Sequence, residues 1–567
     1  MTGNGVPRLK LKRFIIYLIT GVCLGLAFPP FDQYQLLFIG FALLLFVVHT
    51  AENYKQLFFR GYFSFLFFEL VAASWLPLSG MQENADRFLI FGGTVTLIIH
   101  SAMFVVPLLV YRFIYSNIKF GHSEKNSPAV MVFAFPFVWT AFEYIFNLSE
   151  FSFPWFHAGN AFTANLHKIQ FAEITGVFGI SFWAVTVGVL LYLLFRFISD
   201  SEKRVLENLK SPKAISLIVI IIIVYILPDI YTVSSDANKR FTKSMTDGKI
   251  NVAVIQPNVN PWIKWGAKQI DIVNDYADQI RLAGRTFSGT GQNLNLIILP
   301  ETATPFYLLD PIYHDKYLII KNVVDSINIP LLTGTPDRVF YNDSIKPYKD
   351  YRVMSNGVKY DVFNSSVLIE PGKDIRSFQK YAKMKLVIAS ERMPYQEKLS
   401  FLKNLISWGV GISSYQIGFD TTVFILNGKY KFNTAICYES IYPDFIAEYF
   451  DKGSELGIII TNDGWWGKLQ GTHQHNRYAI LRAVENRRWF VRCANTGISC
   501  TIDPYGNIYN ETSINQKTLF TAEAGLQKDK TFYTIHRDIL ARVCMYLTGI
   551  LFLAGLVYKR KNKSQRL

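Results

Sequence analysis

A membrane α-helical bundle joined to a large extramembrane α/β domain is the architecture this chain predicts, and three observations predict it. The 567 residues are 50% hydrophobic and 16% aromatic but only 18% charged, too apolar a mixture for an ordinary soluble protein. The long apolar runs are confined to residues 11–231 and 539–558, while 245–535 has the polarity of a soluble domain. Within that polar stretch, short β-branched runs alternate with helical patterns, which is the signature of sheets covered by helices.

About eight transmembrane helices are expected, at 11–28, 35–49, 57–76, 88–114, 128–147, 168–197, 213–231 and 539–558. Each approaches the roughly 20 residues that a helix needs to cross the hydrocarbon layer. The division expected is a helical domain over 1–235, a polar domain over 245–530, and a final helix with a basic tail over 538–567. The first span runs into Ala27-Phe28-Pro29-Pro30-Phe31 without a small-x-small cleavage site, so it reads as a retained anchor.

Lys and Arg set the orientation. Taken on alternate sides of the spans, one side collects Arg8, Lys10, Lys12, Arg13, Lys55, Arg60, Arg112, Lys119, Lys125, Arg196, Lys203, Arg204, Lys210, Lys213, Lys559, Arg560, Lys561, Lys563 and Arg566, while the other offers little beyond Arg87 and Lys168. The positive-inside rule then puts both termini in the cytoplasm and sends the polar domain across the membrane. The net charge of +15 is accounted for by topology and anionic-lipid contact, and no nucleic-acid partner is expected.

Five cysteines, Cys23, Cys437, Cys493, Cys500 and Cys544, are an odd number, and two lie in spans, so they do not form a disulfide framework. Cys493 and Cys500 flank a turn and are expected to be strand-core residues, with pairing as the alternative. Cys437 is then a free thiol.

Strands are expected at Ile250–Ile255, Leu294–Leu299, Ser365–Ile369, Thr434–Cys437 and Leu456–Ile460, and helices at 268–284, 313–327, 441–451 and 472–488. The strand ends carry the chemistry. Glu301 stands just past one apolar strand, Lys383 lies in a polar segment between two others, and Cys437 closes a third. Singly, each has an ordinary reading: a helix-start charge, a solvated lysine, a buried small residue. Together they form a set for acyl transfer, with a carboxylate to take the thiol proton, an ammonium to stabilise the tetrahedral oxyanion and a sulfur to attack.

Glu301 in Leu-Pro-Glu-Thr-Ala, Lys383 in Tyr-Ala-Lys-Met-Lys-Leu and Cys437 in Ile-Cys-Tyr-Glu-Ser resemble the Glu-Lys-Cys triad of the carbon–nitrogen hydrolase (nitrilase) superfamily. With the flanking spans, the chain resembles the apolipoprotein N-acyltransferase family. Further matching stretches are Phe28-Pro29-Pro30-Phe31, Phe153-Pro154-Trp155, Gln256-Pro257-Asn258 leading to Lys264-Trp265, Asn462-Asp463-Gly464-Trp465-Trp466-Gly467, and Ala494-Asn495-Thr496-Gly497. The resemblance implies a nitrilase-like αββα sandwich in which Glu301 is the general base, Lys383 the charge-stabilising residue and Cys437 the nucleophile. It further implies that Glu391 is a second essential glutamate, that Tyr438 and Glu439 shape the pocket, and that Trp265 lies near a lipid entrance. Where the family has a Pro-Phe-Gly type stretch before the second glutamate, this chain has Ile388-Ala389-Ser390.

The implied reaction moves a fatty acyl chain from a glycerophospholipid to the α-amine of an S-diacylglyceryl-cysteine at the N-terminus of an apolipoprotein, in a ping-pong sequence through a Cys437 thioester. The implied location is the inner membrane, with the catalytic domain periplasmic; partners are membrane lipids and the lipoprotein acceptor, and neither cofactor nor metal is implied. A membrane-tethered amidase and a catalytically silent lipoprotein-binding scaffold are the competing readings.

Other residues have humbler expectations. Leu399, Leu402, Leu405, Ile406 and Trp408 recur at near-helical spacing in 396–409, as an interfacial arm or an ordinary amphipathic helix. His473 and His475 are expected to make polar contacts at a helix start, and Arg482 with Glu485 an intrahelical pair. Glu69, Glu143 and Glu173, within spans, are expected to be structurally paired.

Overall fold

The computed structural model describes residues 5–118, 130–200, 205–235, 248–288, 293–342, 350–388, 390–395 and 415–564. The 396–409 stretch and Ala389 lie outside them. The chain divides into two compact units, one made of Met1–Leu78, Ile90–Asp236 and His536–Leu567, the other of Ser79–Leu89 and Ala237–Ile535.

The first unit is helical, and helices occur at each of the eight expected places. Eight clear spans do not follow. Among the described residues, four helices are long and apolar enough to cross a bilayer, Phe88–Asn117, Ala172–Ser199, Pro212–Ser234 and Ile539–Lys561, and a fifth results if Tyr54–Ala72 and Trp75–Met81, bent by 44°, count as one. The shortfall has local causes. Among the described residues the apolar part of the first helix is Phe14–Leu26, and Gln35–Thr50 has only 16 residues. The carboxylates of this unit are paired as expected: Glu69 Oε1 lies 2.5 Å from His100 Nδ1, Glu143 accepts from Trp139 Nε1 and the Ala158 amide at 2.8 Å each, and Tyr231 donates to Glu173 at 2.6 Å.

The second unit contains two sheets. One runs β13 (Thr518–Gly525), β1 (Lys249–Gln256), β2 (Leu296–Ile298), β3 (Leu331–Phe340), β5 (Lys359–Ile369), β4 (Arg352–Val353), with β6 (Gln379–Ala382) also paired to β5. The other runs β12 (Ile508–Tyr509), β11 (Cys500–Ile502), β10 (Phe490–Ala494), β9 (Leu456–Thr461), β8 (Tyr430–Ile436), β7 (Val423–Leu426). In each sheet three central strands are parallel, β1-β2-β3 and β8-β9-β10, so their carboxyl ends emerge at one edge.

Helices cover the sheets. Ala253, Ile255, Ile297 and Leu331 on one face of the first sheet pack against Val273, Tyr276, Ile280, Ile320 and Val324 of the helices Gln269–Ser288 and His314–Ile327. Each such fully buried aliphatic or aromatic side chain contributes about 1.5–3 kcal/mol. Helices Pro443–Asp451 and Gln470–Asn486 flank the second sheet, where Phe450 meets Phe490 edge to face at 5.6 Å. Cys493 on β10 reaches the Ile255 and Ile298 carbonyls of β1 and β2 at 3.3 and 3.5 Å, so the sheets lie face to face. This is the αββα sandwich expected. Cys493 and Cys500 are both free and buried, as core residues should be.

Candidate active site

Three chain crossings meet at the carboxyl edge of the strands. Glu301 follows β2 by three residues. Its turn is set by Gly334 on β3, where a Cβ would lie only 2.6 Å from Glu301 Cα, so no other residue lets the two backbones come this close. Paired amides complete the junction, with Ala303 donating to the Gly334 carbonyl at 2.8 Å and Gly334 to that of Pro300 at 3.1 Å. Thr302 adopts a positive φ of 43°, and Glu301 itself is buried.

Lys383 arrives by register. β6 pairs antiparallel with β5, Ala382 opposite Ser365, so the next residue lies beside Asn364, whose carbonyl accepts the Lys383 amide at 2.8 Å. The Lys383 side chain is 1% exposed, and its ammonium touches Glu301 Oε1 and Glu391 Oε1, each at 3.0 Å. Asn364 Nδ2 donates to the same two oxygens at 2.8 and 2.9 Å. Burial alone would discharge the amine, but the Glu301 and Glu391 carboxylates outweigh it and hold its pKa well above the usual lysine value. The second oxygen of Glu391 accepts the Val387 amide at 2.8 Å, so the loop carrying Ile388 and Ser390 delivers Glu391 to Lys383 despite its departure from the family pattern.

Cys437 follows β8 directly. Ile436 pairs with Ile460 of β9, so Cys437 and Thr461 stand side by side at the strand ends. The thiol residue has φ +54°, a left-handed conformation that turns the chain sharply into Cys437–Ile441. Cys437 is 7% exposed. Burial pushes its thiol well above the ordinary cysteine range, Glu301 pushes it further, and Lys383 pulls it back. The resting group is therefore a protonated thiol within the fields of both residues.

Glu439 braces this turn. It accepts from Tyr381 Oη at 2.5 Å, from the Met384 and Lys385 amides at 2.7 and 3.1 Å, and from the Ile436 amide at 2.8 Å, which ties the Lys383 segment to the nucleophile turn. Burial raises its pKa to about 7 against those donors. Tyr438 is buried edge to face with Tyr442, ring centres 5.4 Å apart. Trp265, by contrast, is 42% exposed.

Beneath the turn lies a network whose role the sequence reading did not assign. His475 Nε2 contacts the Cys437 carbonyl at 3.1 Å and Ser440 Oγ at 3.0 Å, and its Nδ1 meets Asp463 Oδ1 at 2.8 Å. Arg492 donates to Asp463 Oδ2 at 2.5 Å, and Thr461 to Asp463 Oδ1 at 2.8 Å. Although burial opposes its charge, Arg492 and His475 hold the Asp463 carboxyl well below the usual range. His475 thus does more than begin a helix: it buttresses the nucleophile's backbone. Cys437, Asp463 and His475 present possible metal-ligating atoms within 4.8 Å of one another, but both imidazole nitrogens are engaged and Arg492 already supplies the positive charge. The Arg482–Glu485 pair is present, at 2.7 Å, with Arg482 also donating to the Ile441 carbonyl at 2.9 Å.

Asn364 and Lys264 were missed as site residues. Asn364 stands just before the expected strand Ser365–Ile369, where nothing but register reveals what it faces. Lys264 sits in the loop after β1, and only the fold shows that it reaches the Thr302 turn.

An αββα sandwich carrying a buried carboxylate–ammonium–thiol set at its strand ends defines a nitrilase-type carbon–nitrogen hydrolase domain, here on a chain with apolar helices of membrane-crossing length. The family model for carbon-nitrogen hydrolases matches residues 251–528, and that for the apolipoprotein N-acyltransferase N-terminal domain matches 20–190. A Chlorobaculum tepidum protein named apolipoprotein N-acyltransferase is 32% identical over 98% of this chain and 99% of its own. Like-named proteins of Geobacter metallireducens and Haemophilus influenzae are 27% and 25% identical, over 99% and 96% of this chain and 97% and 94% of theirs. The chain belongs to the apolipoprotein N-acyltransferase family.

Proposed function

We propose that this enzyme transfers a fatty acyl chain from a glycerophospholipid to the N-terminal amine of S-diacylglyceryl-cysteine on apolipoproteins, through a thioester on Cys437. The observation that carries the reading is the Lys383 ammonium, fully buried and shared between Glu301 and Glu391 at 3.0 Å each, in whose field the Cys437 thiol lies.

A thiol whose pKa is raised cannot ionise in advance at neutral pH, so attack requires a base at hand. Glu301 takes the S–H proton as sulfur bonds to the ester carbonyl carbon. Lys383 stabilises the oxygen that gains charge. The ester C–O bond then breaks, Glu301 returns the proton to the departing alkoxide, and a lysophospholipid leaves. In the second half, Glu301 takes a proton from the α-ammonium group and releases it to solvent, the free amine attacks the thioester, and Glu301 carries the remaining extra proton from the adduct nitrogen to sulfur as the C–S bond breaks. Glu391 and Asn364 hold Lys383 in place, Tyr438 and Glu439 shape the pocket wall, and Trp265 stands near the lipid entrance.

Both substrates reside in the bilayer, and drawing an acyl chain into water costs about 0.8 kcal/mol per CH₂. That cost explains why the catalytic domain, 245–530, is joined to membrane helices over 1–235 and 538–567. The arrangement we infer has eight crossings, both termini cytoplasmic and the catalytic domain on the periplasmic face of the inner membrane.

The test uses purified full-length protein with phospholipid labelled in one acyl chain, followed by a diacylglyceryl peptide. Mass spectrometry should find the acyl group on Cys437 and then on the peptide amine, and Cys437→Ser should give neither. Acylation followed only by free fatty acid would replace the transferase with a hydrolase, and no adduct at all would leave a lipoprotein-binding scaffold.

A further inference from the structure

Lys264 is 1% exposed, and among the described residues no carboxylate lies within ion-pair distance of it. Its ammonium instead donates to the Thr302 carbonyl, with Thr302 Oγ1 at 3.3 Å. Thr302 immediately follows Glu301 and is one of the few non-glycine residues at positive φ. The turn that aims Glu301 is therefore gripped from two sides, by the Gly334 contact and by Lys264. The loop bearing Lys264 is itself anchored, with Asn495 Nδ2 donating to the Val259 carbonyl at 2.6 Å and the Lys264 amide to the Asn260 carbonyl at 3.1 Å.

A buried ammonium is costly unless it offsets charge nearby. The charged groups here are Glu301 and Glu391 against Lys383, with Glu439 buried nearby under its own four donors; Asp463 is matched by Arg492. Lys264 adds a second positive charge against this excess of carboxylates, and proton transfer does not change the total, since the charge that leaves Glu301 reappears on sulfur. Burial lowers the Lys264 pKa to about 8, and the attraction of Glu301 limits the drop.

We propose that Lys264 is a positioning residue of the acyl-transfer centre: it pins the Glu301–Thr302 turn and sets a second positive charge beside the Glu301 carboxylate. This rests on the reading of Glu301 as the base for Cys437. Removing a positive charge near a carboxylate raises its pKa, so the acidic limb of the rate profile must move to higher pH.

The experiment measures acyl-enzyme formation at Cys437 against pH for the full-length protein in phospholipid vesicles, in wild type, Lys264→Met, Lys264→Gln and Lys264→Arg. The acidic limb should rise by about one pH unit in Lys264→Met and Lys264→Gln, with about a tenfold loss on that limb that recovers at higher pH, and stay in place in Lys264→Arg. Should Lys264→Met fail to fold, Lys264→Gln, which keeps an N–H for the Thr302 carbonyl, decides. Rates that fall equally at every pH, or an unmoved limb, overturn the proposal. A wild type that forms no adduct would instead sink the acyl-enzyme reading on which it rests.

Discussion

Cys437 combines two properties that pull against each other. Its strained backbone and strand-end position expose it to a reaction centre, while burial and Glu301 raise its pKa. A free cysteine titrates near 8.5, so the rate of alkylation at Cys437 by a small uncharged reagent should keep climbing as pH rises beyond about 9, with no plateau near neutrality. Peptide mapping across the pH range measures this, and a plateau below about pH 8 would show a preformed thiolate. Glu301 and Cys437 are legible in the sequence because each stands at the end of a recognisable apolar strand, and Lys383 through the Tyr-Ala-Lys-Met-Lys-Leu stretch that carries it. Asn364, His475 and Lys264 were not, since what they touch is decided by register and by loops that return from more than 30 residues away: Asn364 to Glu301, His475 to Cys437, Lys264 to Thr302.

At the level of elements, the site depends on a few close approaches that join strands to turns. The Gly334 contact holds β3 against the Glu301 turn, and an added methyl has no space on the backbone side. Gly334→Ala should therefore cost about 1–3 kcal/mol of stability through overpacking and should also slow acyl-enzyme formation by shifting Glu301. Thermal melts with single-turnover rates check both effects; an unchanged rate would mean the turn tolerates displacement. The five strands and four helices expected in the polar domain are all present, with ends shifted by a few residues. β3 was not singled out because Gly334 and Pro336 interrupt its apolar run, and it is held by the strands on either side, β2 in parallel and β5 in antiparallel pairing.

For the molecule as a whole, composition separated an apolar helical unit from a polar α/β unit, and among the described residues four or five of the eight expected spans meet a length and hydropathy criterion as single helices. The helix break at Ala73–Ser74, bent by 44°, follows from geometry that a running average of hydropathy smooths over. The short helices pack among neighbours instead of meeting a length criterion one by one, as Phe41 in Gln35–Thr50 does against Trp139 at 4.9 Å. Joining a hydrolase-type site to such helices makes chemical sense when the acyl group must never cross water, and a covalent intermediate is the centre of that account. It is tested most directly by acylating the enzyme with labelled phospholipid, removing all free lipid, and then adding diacylglyceryl peptide in the absence of any donor. The account predicts stoichiometric movement of the label from Cys437 to the peptide amine. Label that stays on the protein, with peptide acylated only when phospholipid is restored, would contradict it.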